Sequence, residues 1–405
     1  MATAKTQRRS YAEEEMTLGE IMKKRLAETF ADMRGIAGDR TKRVNAVLMW
    51  LVILLLGIGI VSMYSASYAY AYAYKDGNSE YFLQRQLVYA AVGGVMMYLA
   101  SIYPLERLKR LTPFVYGLSF VLLIIVLFCD PVNGSRRWIP LGPLGTFQPS
   151  EVGKLALIMT MSAWASNNYK RMHTFKYGVA IPIAAALFII APVLAETHLS
   201  CSILMVLLVA TILYIGGMSY KWLLPAIGAG VGGIALLFTG VIPYGQSRIA
   251  AYKDPFVDAL GIGWQNIQAL YAISSGGLFG QGIGQSHQKH LYISEPQNDF
   301  IFAVVCEEVG FFGALVIIAL FVALVVIGFS VSINHSDRFC RLMGVGISAQ
   351  VGWQTLLNVA VVTKTIPNTG ISLPFFSAGG TSLIMLMTEM GILLAISRSS
   401  NARRN

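Results

Sequence analysis

Four carboxylates, Glu151, Asp299, Glu307 and Glu308, sit inside or at the edges of long apolar stretches. An ionised group at the centre of a bilayer costs about 2.5–3.5 kcal/mol unless it is paired or meets water, so each is a functional candidate. Glu151 belongs to Gln148-Pro149-Ser150-Glu151-Val152-Gly153-Lys154, where Pro149 and Ser150 read as a helix start with Ser150 as its cap. On that helix Glu151 and Lys154 lie three residues apart and share a face. They form an internal ion pair at the helix entrance, a part of an active site, or both. Asp299 follows Glu295-Pro296-Gln297-Asn298 and precedes Phe300-Ile301-Phe302, where an outer loop enters the membrane. A partly desolvated carboxylate there is a better base near neutral pH; its structural alternative is an N-cap. Glu307 and Glu308, two turns deeper, read as internal hydrogen-bonding groups.

Six basic residues face the same outer side: Arg136, Arg137, Arg248, Lys253, Lys289 and Lys364. Together they suit a phosphate or diphosphate held by charge-assisted hydrogen bonds; singly, they suit lipid headgroups. Gly276, Gly277, Gly280, Gly282 and Gly284 lack the strand-then-helix setting of a nucleotide loop. Cys129, Cys201, Cys306 and Cys340 have no metal-binding spacing and read as small core residues.

The elements that position these groups follow from composition. Of the 405 residues, 55% are hydrophobic and 13% charged, against about 25% charged in soluble proteins. Ten apolar blocks approach the roughly 20 residues that span a bilayer: 46–66, 86–103, 113–129, 150–166, 177–195, 199–216, 223–243, 300–329, 342–362 and 376–397. The expected fold is therefore an all-α polytopic membrane protein of about ten transmembrane helices. A large outer loop, 244–298, joins the seventh to the eighth, and apolar stretches such as Ile267 to Ile273 predict short helices on the membrane surface within it. Two further outer segments, 130–149 and 363–378, are rich in Gly and Pro.

The net charge of +10 is explained by topology rather than by nucleic acid. The tail 1–43, with an amphipathic helix expected around Glu13 to Arg34, holds ten of the 31 Lys and Arg. Alternate loops and the C-terminal tail 399–405 hold most of the rest, so both ends are cytoplasmic. No cleavable signal peptide is visible. Residues 44–398 form the membrane domain, whose chemistry gathers in an outward cleft where carboxylates meet cations. Two classes fit: an enzyme acting on a lipid-linked, phosphate-bearing substrate, or a transporter that flips one.

Five segments carry a resemblance: Asn133 to Ile139, Gln148 to Glu151 with Lys154, Gly280 to Ser286, Glu295 to Glu308, and Pro374 to Ser382. In them the sequence resembles the SEDS family, the shape, elongation, division and sporulation proteins of bacteria, across roughly 46–398. The division and sporulation members are nearer than the elongation members. Two positions depart from the family pattern. His198 stands where an acidic residue is common, with Glu196 the nearest carboxylate, and Ala378 stands where Tyr is common.

The resemblance implies a peptidoglycan glycosyltransferase of the bacterial cytoplasmic membrane, polymerising lipid II on its outer face and releasing undecaprenyl diphosphate. It implies a class B penicillin-binding protein and other divisome proteins as partners. Asp299 matches the family's proposed catalytic aspartate. The expected substrate contacts are Glu151, Lys154, Arg137, Arg248, Lys289, Glu295 and Ser377. No resident metal site is expected, although a divalent cation, Mg or Mn, suits a diphosphate leaving group. A lipid II flippase and a non-catalytic scaffold are the alternatives.

Overall fold

The computed structural model describes residues 45–131, 135–142, 145–196, 198–222, 225, 252–256, 258, 260, 261 and 263–401. The tail 1–43, the seventh expected span at 223–243 apart from residue 225, and Arg248 fall outside them. Ten helices follow in order: α1 (Ala46–Tyr74), α2 (Tyr81–Ile102), α3 (Leu105–Leu127), α4 (Pro149–Asn167), α5 (Ile181–Ala195), α6 (Leu199–Ile215), α7 (Trp264–Gly276), α8 (Ile301–Ile333), α9 (Arg338–Val362) and α10 (Gly380–Asn401). All but α7 correspond to expected spans. Seven helical segments are long and apolar enough to cross a membrane among the described residues.

Helix α4 is not one of those seven, and its burial explains why. It packs against α3, α5, α6, α9 and α10, and buries Ser150, Glu151, Gly153, Lys154 and Ser162 along with its apolar residues. A central helix need not be apolar when protein, not lipid, surrounds it. Its start differs from expectation: Pro149 occupies the first turn and the cap falls on Gln148, leaving Ser150 inside the helix. Helix α3 begins eight residues before its expected start and carries Pro113 within it, a residue tolerated inside membrane helices.

Helix α8 breaks at Gly310, where φ is 69° and ψ is −174°. The outer segment 277–282 satisfies the freed backbone. Gln281 and Gly282 N–H donate to the Glu307 and Glu308 carbonyls, while Phe311 and Phe312 N–H donate to those of Gly277 and Leu278, at 2.9–3.2 Å. A Cβ on Gly280 would strike the Glu308 carbonyl, and one on Gly310 the Gly280 nitrogen. The glycine run thus serves backbone approach, as the absence of a nucleotide-loop setting required. Helix α7 covers the expected Ile267–Ile273 stretch but packs against α8, burying Ile267, Ala269 and Ala272. Cys201, Cys306 and Cys340 are buried and Cys129 is partly so; all four are free thiols.

Candidate active site

A cavity of about 360 Å³ opens among α4, α6, α9, α10 and the outer loops. Arg137, Glu151, Lys154, Glu295, Asp299 and Ser377, six of the eight residues read from the sequence, line it.

One wall is anionic. Asp299 precedes α8, whose cap position is Phe300 rather than Asp299. It faces the Gly370 backbone: a Cβ there would lie 3.2 Å from Oδ2, and Gly370 itself has φ of 75°. Asn358, fully buried on α9, fixes the main chain beneath. Its Nδ2 donates to the Asp299 carbonyl at 2.9 Å and to the Ile371 carbonyl at 2.7 Å. Beside it Asn298 donates to Glu295 Oε2 at 2.8 Å. The Ser377 hydroxyl accepts from Leu373 N–H at 2.8 Å and donates to the Asn298 carbonyl at 2.9 Å. Ser377 therefore braces the two loops on which Asp299 depends.

The other wall is cationic. Lys154 Nζ lies 2.9 Å from Glu151 Oε2, both nearly inaccessible to solvent. Glu389, fully buried on α10, sits close enough to bear on their charges and accepts from Gln350 Nε2 at 2.7 Å. Arg137 arrives on the outer segment ahead of a two-stranded hairpin, β1 (Ile139–Pro140) and β2 (Thr146–Phe147), paired Ile139 to Phe147 and Pro140 to Thr146. Thr381 pins that hairpin to α10 by donating to the Thr146 carbonyl at 3.0 Å. His198 lines the cavity, its Nδ1 3.5 Å from Gln148 Nε2.

Glu196 does not take the missing acidic position in the cavity. Its carboxylate is buried without a hydrogen-bond partner among the described residues. Burial pushes it up to about 8, with Arg137 opposing the rise.

Lys289 is a correction. It does not line the cavity: its ammonium is buried 3.0 Å from Glu308 Oε1 and 3.0 Å from Ser65 Oγ. Glu307 accepts from the hydroxyls of Ser275 and Ser286 and from His287 and Gln288 N–H. Both glutamates therefore tie the outer loop into the bundle. Arg136 braces the end of α3 by donating to the Leu127 carbonyl at 3.1 Å. Sequence reasoning passed over Asn358 and Glu389, and placed Gly370 in an outer segment without giving it a role. Only Glu389 had a signal, as a lone carboxylate in the last apolar block.

Comparisons with known proteins agree with this architecture. The profile of the cell cycle protein family of FtsW, RodA and SpoVE matches residues 46–402. Stage V sporulation protein E of Bacillus subtilis is 37% identical over 369 residues, covering 89% of this chain and 99% of its own. The probable peptidoglycan glycosyltransferase FtsW of the same organism is 33% identical, with 88% and 91% covered. Among solved structures, the rod shape determining protein RodA of Thermus thermophilus superposes with a TM-score of 0.65 at 26% identity, covering 88% of this chain and 97% of its own. A chain of a peptidoglycan synthase complex that coordinates polymerization and crosslinking gives 0.72 at 25%, with 88% and 98% covered.

Proposed function

The chain belongs to the cell cycle protein family of FtsW, RodA and SpoVE, and we propose that its cavity polymerises lipid II into β-1,4 glycan. It is a multi-pass membrane protein and a peptidoglycan glycosyltransferase, as its curated relatives are named. The observation that carries the mechanism is a carboxylate, Asp299, sharing one cavity with Arg137 and an anchored Lys154.

Asp299 takes the proton from the 4-hydroxyl of the acceptor's N-acetylglucosamine. The freed oxygen attacks the anomeric carbon of the donor's N-acetylmuramic acid, α-linked to diphosphate. Inversion gives the β-1,4 bond. Undecaprenyl diphosphate leaves with its developing charge met by Arg137 and Lys154, and Glu151 holds Lys154 in place. A divalent cation, Mg or Mn, would add positive charge for the leaving diphosphate, although no cluster of metal-ligating side chains occurs among the described residues; activity before and after chelation tests that point.

The setting is the outer face of the bacterial cytoplasmic membrane, with both termini inside, in septal or sporulation synthesis. A class B penicillin-binding protein would cross-link the strands, consistent with the complex of polymerization and crosslinking that a structural neighbour belongs to. The deciding assay is glycan synthesis from lipid II by purified protein, with and without such a partner. Wild type should yield long chains and Asp299→Ala none, at equal thermal stability. Normal polymerisation by Asp299→Ala would remove the base assignment, and no product from any wild-type reaction would remove the polymerase.

A further inference from the structure

The outer end of α1 carries an aromatic face that the reaction above does not use. Tyr64, Tyr68 and Tyr72 recur every fourth residue, which places them along one side of the helix at steps of about 6 Å. That step is close to the length of one β-1,4-linked pyranose. Tyr68 is 46% exposed and Tyr72 64%. Ala69 and Ala73, on the adjoining face, form a small-residue floor, and His290 and Leu291 of the outer loop form the opposite wall of a cleft of about 290 Å³.

That wall is built rather than incidental. Leu291 holds φ of 67°, a conformation costly for a bulky side chain and kept only where the surroundings enforce it. Lys289, two residues before it, is clamped into the bundle by Glu308 of α8 and by Ser65 of α1 itself. One chain segment joins the cleft to the active site. The segment running from Lys289 to Asp299 lines the cleft with His290 and Leu291 and the cavity with Glu295, Asn298 and Asp299. On the other side of α1, Tyr70 lies within electrostatic reach of Glu295.

We propose that this cleft binds the newly made glycan strand as it leaves the cavity, its sugars lying against Tyr68 and Tyr72 over the Ala69–Ala73 floor. The occupant follows from the chemistry, and this step rests on the polymerase reading. Each turnover adds sugars that must leave across the outer surface, and tyrosine combines an apolar ring for the pyranose face with a hydroxyl for its edge. Helix α1 has 29 residues and is about 43 Å long, so it exceeds the roughly 30 Å hydrocarbon core. Its last turns reach the aqueous side.

The test pairs binding with product length. The soluble tetramer of β-1,4-linked N-acetylglucosamine should bind purified wild type. It should bind the Tyr68→Ala/Tyr72→Ala double variant on the order of ten-fold more weakly, and bind Tyr68→Phe/Tyr72→Phe nearly as wild type. Ala73→Trp, which fills the cleft from its floor, should weaken binding as the alanine pair does. With lipid II the alanine pair should consume substrate at the initial wild-type rate yet release shorter chains. Equal tetramer affinity in wild type and both cleft variants, or none in wild type, would overturn the assignment and leave the tyrosines as an interfacial belt. A wild type that binds the tetramer at the tyrosines but makes no glycan would instead sink the polymerase and leave the cleft a carbohydrate site.

Discussion

Asn358 holds the main chain of Asp299 from below: one Nδ2 donates to the Asp299 carbonyl at 2.9 Å and to the Ile371 carbonyl at 2.7 Å. The same carboxamide thus fixes the aspartate and the Gly370–Ile371 backbone that faces its carboxylate. Asn358→Leu keeps a similar volume but removes the donor, leaving two carbonyls without it at about 1–3 kcal/mol each. Misplacing a reacting group by about 1 Å can cost about a hundred-fold in rate. Polymerisation should therefore fall far more steeply than the lipid II affinity. A variant that loses stability but keeps wild-type kcat would show that Asn358 only supports the fold.

Beneath the cavity, one cation, Lys154, serves two carboxylates, Glu151 and Glu389, and Gln350 donates to the second at 2.7 Å. Glu389→Gln keeps an acceptor for Gln350 while removing a buried ionisable group, and the Glu151–Lys154 pair remains balanced. Its melting temperature should equal or exceed that of wild type, since a neutral amide avoids the cost of burying an ionisable carboxyl. Glu389→Ala leaves the Gln350 donor unmet and should cost about 1–3 kcal/mol. Thermal unfolding of the purified variants checks both; if the glutamine variant is the less stable, Glu389 carries a charge that the fold requires.

The buried pair of Lys289 and Glu308 yields a third expectation. Lys289→Met strands Glu308 in the bundle and should destabilise by about 3–5 kcal/mol, whereas Lys289→Met/Glu308→Leu should recover most of that loss. The double variant should also keep the wild-type KM for lipid II, because Lys289 lies outside the cavity. A raised KM in a stable double variant would return Lys289 to the diphosphate.

Most of the architecture was legible because bilayer-length apolar blocks need no partner to be recognised. The fourth block is the least apolar for a structural reason. Glu151 and Lys154 interrupt the pattern of α4 because that helix is surrounded by protein. Of the cavity residues, Arg137, Glu151, Lys154 and Asp299 stood out by residue type and position, and Glu295 and Ser377 only through the family resemblance. Lys289 was not, since its partner Glu308 is nineteen residues away and only the inward fold of the loop joins them. Asn358 gave no local signal either: its two acceptors are backbone carbonyls on other segments. Glu389 was open to the same rule that singled out Glu151, an ionisable group inside an apolar span.

Glu196 gives the enzyme a pH dependence of calculable sign. Burial raises its carboxyl from 4.5 to about 8, so the folded protein holds a proton that the unfolded chain releases above about 4.5. This contribution to stability is full below 4.5, falls as pH rises from 4.5 to about 8, and is constant beyond. Near neutral pH the neutral carboxyl leaves the neighbouring Arg137 charge available to a diphosphate in the cavity. Above about 8 the carboxylate competes for that guanidinium, and KM for lipid II should rise. Glu196→Gln should flatten both profiles, raising stability at pH 8 relative to wild type while leaving it unchanged at pH 4. Unfolding temperature and lipid II titrations across pH 5 to 9, on wild type and variant, decide it. Parallel profiles for the two proteins would mean that Glu196 keeps an ordinary carboxylate titration and does not govern Arg137.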